Sequence, residues 1–482
     1  MALLGYAPDA DPSIIGVITS ASGVVPSLRG IKGAPSPVSA GMATLAATCV
    51  GSAFLTKLDG TTRFLAGAPQ KIYEAGNSTW TDVSRAATYT TGLTGVWRFA
   101  QQGNVSFAAN GADTIQASVS TGAFSCVPGA PIASIVETVG KFVFAANTSG
   151  NSSTIQWSAL NDYTSWSASV ITQAGNDTLT ASAGAITAAK RFGNTLIVYK
   201  KNSMFLGVYV GPPNVWEINV NQIPGNAGAL SQEVVVDIGT ADNPKHIFMG
   251  EDDFYVYDGS RPLPIGTNRI KQEVFGNLFQ SRTSFCKAQL DKKNSLVRFY
   301  YPTIDTTKPN SCRVYNYRTD KWGVDDRQIE AAVDYVAPAV TYDGLGSLYA
   351  TYDDLPVRSY DSGFLGSTQT QPAIFSTSHL LQTLTGPAGS TSFTTWDLGD
   401  DAALITATRV RPRFITAPTT AMMTNYYKMS SGDSLTADQT VSINNGKFDF
   451  LREARWHRLQ FAYTGDWEQS GLAPEWERGG DE

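Results

Sequence analysis

The chain has 482 residues, of which 42% are hydrophobic and only 16% charged, with 44 Gly, 22 Phe, 20 Tyr and 10 Trp. It can bury a sizeable core, so disorder is excluded, and abundant Gly and aromatics describe short strands joined by tight turns. The net charge of −6 argues against a protein that holds nucleic acid by neutralising phosphates, but not against a surface past which DNA slides without sticking.

Residues 1–45 (VVPSLRGIKGAPSPVSAG and its flanks) carry little periodicity. They read as an extended N-terminal arm laid on another surface, or as a strand pairing with something distant in sequence. The start, MALLGYAPDADPSII, lacks a basic region followed by an apolar run, so no signal peptide is expected and synthesis is assigned to a cytoplasm. No window approaches the roughly 18 apolar residues of a membrane span.

Hairpins begin near residue 50. FLTKLDGTTRFLAG is expected to turn at Asp59-Gly60, VWRFAQQGNVSFAANG at Gly103-Asn104, and RFGNTLIVYKKNSMFLG at Gly193-Asn194 and Lys201-Asn202. HIFMGEDDFYVYDG repeats the theme at Asp252-Asp253 and Asp258-Gly259. SLVRFYYPTIDTTKPNSCRVYNYRTDKW gives two tyrosine-rich strands, a polar turn and Trp322, and YDGLGSLYATYDDLPVRSYDSG closes the series near Gly363. Each unit ends on an aromatic: Trp80, Trp166, Trp216, Tyr257, Trp322 and Tyr360. Such units cannot bury their own apolar faces and need neighbours of the same kind, and a period of about 40 to 50 residues is that of a β-propeller. The fold class is therefore all-β, with a propeller of about six to eight blades over residues 46–365; two stacked sandwiches are the rival. The one helix expected is NRIKQEVFGNLF, with Ile270, Val274 and Leu278 on one face. Beyond a polar linker at 366–373, longer alternating strands predict an antiparallel β-sandwich-like domain over 366–482, ending in an acidic tail with Trp467 and Trp476.

The search for chemistry is thin. There is no P-loop, GxSxG, HExxH or EF-hand pattern, and GLG at Gly344–Gly346 is too short for a dinucleotide fingerprint. His246, His379 and His457 are scattered and read as satisfied structural histidines. Cys49, Cys126, Cys286 and Cys312 are far apart and read as reduced, mostly buried thiols. The Asn-x-Ser/Thr matches at Asn77, Asn104, Asn147, Asn151 and Asn176 are chance without export. Asp252-Asp253, Asp325-Asp326 and Asp353-Asp354 read as turn acids rather than catalytic pairs. Arg409, Arg411 and Arg413 share one face of a strand; they could bind phosphate, but a solvated face balanced by Asp400 and Asp401 explains them better. Arg452, Arg455 and Arg458 surround Trp456, an arrangement that packs as readily as it binds. No catalytic, cofactor-binding or metal-ligating residue is assigned.

QWSALNDYTSW, RFGNTLIVYKKNSMFLG, FMGEDDFYVYDG, NYRTDKW and ARWHRLQFAYTGDWEQSGLAPEW resemble the tail nozzle (tail hub) proteins of short-tailed bacteriophages. The resemblance spans nearly the whole chain but lies in the order of blade endings, and the Gly/Pro-rich arm departs from it. It implies a homohexameric ring in the virion tail, below the portal and adaptor and assembled in the host bacterial cytoplasm. The ring would pass double-stranded DNA without sequence-specific binding and carry tail fibres or a plug. Such proteins resemble structural parts, so no enzyme activity, catalytic residue or cofactor carries over. A weakly charged acidic chain suits that role, because a basic lining would retain phosphates, and a closed ring suits heterologous interfaces. The alternative is a propeller-type glycan-binding or glycan-cleaving tail protein, against which the missing S-x-D-x-G-x-x-W boxes weigh. A bacterial propeller scaffold, monomeric, is the third reading.

Overall fold

The structure is a computed structural model describing residues 1–90, 95–240, 242–304, 306–336 and 370–479. Seven antiparallel sheets are arranged radially in chain order, with inner strands Gly51–Thr56, Arg98–Gln102, Ala133–Val139, Ile186–Phe192, Val235–Asp237, Lys287–Asp291 and Ala331–Tyr335. Each inner strand touches the next, and the seventh touches the first, so the ring closes as a seven-bladed propeller. The expected six to eight blades thus become seven.

Local sequence explains the hairpins. Gly103-Asn104 lies between the paired Gln102 and Val105, and Gly193-Asn194 between Phe192 and Thr195, with both glycines at positive φ. The Asp59-Gly60 hairpin uses a longer loop, because pairing stops at Thr56 and Thr62 and the Asp59 carboxylate binds the Thr61 N–H at 2.9 Å. Every residue of Leu296–Tyr301 is buried, since a blade strand is covered on both faces. That is why aromatic content, not polar alternation, marks it.

The landing aromatics fill the seams between blades. Trp216 of blade four meets Phe144 of blade three edge-on at 5.0 Å, Trp322 of blade six lies 4.9 Å from Phe254 of blade five, and Trp80 of blade one lies 5.8 Å from Phe375 of blade seven. Trp166 joins the core between blades two and three. Tyr360, the GLG run and Asp353-Asp354 lie outside the described residues.

Two domain boundaries move. Gln371–Phe375, read as the end of a linker, pairs with Ala331–Tyr335 and then with Leu381–Ala388, so blade seven extends beyond residue 365. Its Thr/Gln composition looks like a linker, but Ala373 and Phe375 are wholly buried between blades seven and one. The sandwich itself spans 391–478: Glu468–Arg478, Ile405–Thr416 and Phe448–Ala454 face a sheet built on Trp456–Thr464 and Thr420–Lys428. Phe393, Phe448, Phe461 and Tyr463 fill the space between them and run on into the propeller core.

The first 45 residues are not a detached arm. Ser20–Ser22 pairs with Thr391–Thr394 in the sandwich, and Val24–Pro26 and Ile31–Gly33 connect blade six to Glu468–Arg478 in one nine-stranded sheet. Pro35–Ser39 is the outer strand of blade seven. Glycines permit this threading: a Cβ on Gly30 would stand 2.0 Å from the Gln469 carbonyl oxygen, and one on Gly33 2.5 Å from the Ala388 Cβ. The segment also caps the helix Lys271–Asn277, whose Gln272 and Glu273 N–H groups donate to Asp9 at 2.5 and 3.1 Å. Ile270, Val274 and Leu278 form the buried face of that helix.

Candidate functional site

The residues singled out by sequence do not converge. His246 is buried between blades four and five, with Nδ1 accepting from the Tyr199 hydroxyl at 2.7 Å and Nε2 donating to the Arg191 carbonyl at 2.9 Å. Burial pushes its imidazole down to about 4. His379 Nδ1 lies 2.9 Å from Glu330, and His457 Nε2 3.1 Å from the Ile405 carbonyl. Cys49, Cys286 and Cys312 are buried and Cys126 exposed, all as free thiols.

The aspartate pairs hold structure. Asp252 accepts from Tyr255 at 2.7 Å and Lys271 at 3.0 Å, and Asp253 from the Phe254 and Gly266 N–H groups. Asp325 and Asp326 do more than make a turn. Asp325 is buried against Arg298 (3.6 Å) and Arg327, and Asp326 binds Arg313 and the Cys312 N–H, both at 2.7 Å. These ion pairs clamp blade six, where a buried guanidinium requires a carboxylate.

Two of the three arginines of the stripe are neutralised, by partners other than those expected; Arg413 is exposed and forms no ion pair among the described residues. Arg409 pairs with Asp449 at 2.5 Å and Glu475 at 3.3 Å, and Arg411 with Glu475 at 2.9 Å, because neighbouring strands place these acids opposite. Asp400 instead meets Arg478, and Asp401 accepts from the Trp456 indole. Arg452 stacks 4.2 Å over Tyr427 and pairs with Asp438, while Lys428 is the cation over Trp456.

A cavity of about 380 Å³ is lined by the inner strands of six of the seven blades. Four cations line it (Arg98, Lys190, Lys287 and Lys292) with three acids (Glu233, Asp237 and Asp334). Arg98 holds Glu233 at 2.7 Å, and Lys190 lies 3.8 Å from Glu137 just outside the lining. Burial raises the Glu233 carboxyl, but Arg98 and Lys287 outweigh it and keep the group below its usual range. Asp334, with burial opposed only by more distant cations, is pushed up to about 7. Lys287, at 4% exposure, forms no hydrogen bond or ion pair among the described residues. Sequence reasoning passed over this site. Its signal was a cation inside an apolar inner strand in three blades: VWRFA, AAKRF and CKAQL.

No protein-family model matches the chain, and no curated protein matches it. Among solved structures it is similar to YCF48 bound to D1 peptide (TM-score 0.37, 12% identity, 75% of this chain and 97% of that one). It is also similar to a chain of the mitotic checkpoint complex (TM-score 0.41, 8% identity, 73% and 94%). A third is PorZ of the type-IX secretion system of Porphyromonas gingivalis (TM-score 0.36, 10% identity, 75% and 43%). With scores this low, the propeller assignment stands on strand order and ring closure alone.

Proposed function

We propose that the protein is a structural subunit of a bacteriophage tail nozzle, one of six copies around a channel for the genome. The supporting observation is the largely compensated arginine stripe: Arg409 and Arg411 are tied to carboxylates, and only Arg413 is left without an ion pair among the described residues. A wall built this way lets a polyanion slide. The cavity among the inner strands is of small-molecule size, so the conduit in this reading runs between copies. The sheet shared by blade six and the sandwich makes the subunit one body, as a load-bearing wall needs. Adaptor, fibre or plug contacts belong to the same reading.

Electron microscopy of the purified chain, alone and with tail components, tests it. A sixfold ring with a duplex-wide bore is the expected result, and a lone monomer at assembly concentrations overturns it. A glycan-cleaving tail protein is the second reading, because a carboxyl held near neutrality (Asp334) shares a cavity with an ionised one (Glu233). Release of oligosaccharide from host polysaccharide, abolished by Asp334→Asn, would favour it.

A further inference from the structure

We propose that the cavity among the inner strands of the propeller is a seat for a small oxyanion, a phosphate or a carboxylate, gripped by Lys287. The inference does not depend on the nozzle reading. Burying a cation without a partner is unfavourable, and proteins avoid it unless a ligand supplies the missing charge. Most other buried cations of this chain follow that rule, Lys57 at 6% exposure being an exception away from the cavity lining. Arg63 is tied to Glu74 at 2.8 Å, Arg298 to Asp291 at 3.3 Å and Arg313 to Asp326 at 2.7 Å; the Lys200 ammonium donates to the Leu179 and Ser182 carbonyls, both at 2.6 Å. Lys287 is as deeply placed, lines the cavity, and has none of this.

Two further observations point the same way. Ser52 lines the cavity, and its buried hydroxyl, with no partner but the Cys49 thiol, can donate to an anion. The buried amides nearby are already spent: Gln289 donates to the Val333 and Ala373 carbonyls, and Gln232 both donates to and accepts from the Ala189 backbone. Among the described residues the donors left over are the Lys287 and Lys292 ammonium groups and the Ser52 hydroxyl, against the unpaired carboxyl of Asp334, a balance that complements an oxyanion. The lining also carries four cations against three acids in a chain of net charge −6, one acid of the three being held by Arg98. At about 380 Å³ the cavity admits a phosphate or a small dicarboxylate with some of its water.

The test titrates the full chain, dialysed into chloride buffer, with inorganic phosphate and separately with succinate at constant ionic strength. Calorimetry and the thermal midpoint are the readouts. Saturable one-to-one binding of at least one anion, with a rise in midpoint, is expected, and the two arms separate a phosphate seat from a carboxylate seat. Lys287→Met should lose at least tenfold in affinity, with a midpoint in the absence of anion close to the parent's, since Glu233 keeps its ion pair with Arg98. Ser52→Ala should lose affinity several-fold and decides the matter if Lys287→Met does not fold. Absence of saturable binding to the parent, or unchanged affinity in either folded variant, overturns the proposal.

Discussion

Blades one to five and blades six and seven are built differently. Each of the first five is a run of consecutive strands, so its pairing is set by local connections, mostly short hairpins, the longest joining Asn151–Trp157 to Gly175–Thr178 in blade three. Blade seven takes its outer strand from Pro35–Ser39, and blade six continues through Val24–Pro26 and Ile31–Gly33 into the sandwich. Local blades form without regard to the chain's beginning. The closing blades wait for a segment some three hundred residues away, at the entropic cost of closing a long loop. Ring closure and attachment of the sandwich thus depend on the same short stretch.

The largest test of this difference is removal of residues 2–40. It deletes the outer strand of blade seven, the link between blade six and the sandwich, and the Asp9 cap. Loss of soluble folded protein is expected, read by expression, circular dichroism and size exclusion. A soluble product with a cooperative transition would mean the borrowed strands are dispensable.

A point change sharpens the same contrast. Arg298→Met removes the ion pair of Asp291 in the interior of blade six and leaves Asp325 to Arg327 alone, both acids being about 3% exposed. Stability should fall by about 3–5 kcal/mol in urea titrations, the cost of leaving buried charge unpaired. Arg63→Met in blade one releases Glu74, which water reaches at 15% exposure, and should cost less, about 1–3 kcal/mol. Equal losses would show that the closing blades are no more dependent on buried ion pairs than the local ones.

The same division decides what could be read from sequence. The hairpins of blades two, four and five announce themselves through turn residues between aromatic strands, and Trp216 and Trp322 mark real seams. Pro35–Ser39 has no such mark: two prolines and two serines form an exposed outer strand whose partner is Leu381–Ala388. Nothing local names that partner. The cavity among the inner strands is harder still, since it is assembled from single residues of six blades. Asp449 and Glu475, which pair with Arg409 and Arg411 of the stripe, became their neighbours only through the register of the sandwich strands.

Acidity separates the two regions by sign. His246, between blades four and five, has a folded value near 4 against 6.5 when exposed, so the unfolded chain binds more protons between these values. Its contribution is intact above pH 6.5 and is lost as pH falls toward 4, by up to about 3 kcal/mol. Asp334 in blade seven is raised from 3.8 to about 7, so the folded state binds more protons there. Its contribution is full below pH 3.8 and is lost as pH rises through 7, by a similar amount. Urea titrations at pH 5 and 8 check both. The stability of His246→Gln relative to the parent should improve on acidification, and that of Asp334→Asn should improve on going alkaline. Parallel pH profiles for parent and variants would remove the distinction.

The smallest stability effect is expected on the sandwich surface, where Arg409→Ala and Arg411→Ala should leave the thermal midpoint within measurement error, since exposed pairs contribute little. The informative change is to their partners. Asp449→Asn combined with Glu475→Gln frees two guanidinium groups and the Lys447 ammonium while altering no buried contact. If neutralisation is what keeps the wall slippery, this double variant should acquire duplex DNA binding that the parent lacks. Freeing three cations should give a plot of log affinity against log salt with a slope of about −3, because each phosphate neutralised releases about 0.9 counterion. Retention of the parent itself on duplex DNA at physiological salt would contradict the conduit reading directly. Indifference of the double variant would locate the non-adhesive surface elsewhere on the molecule.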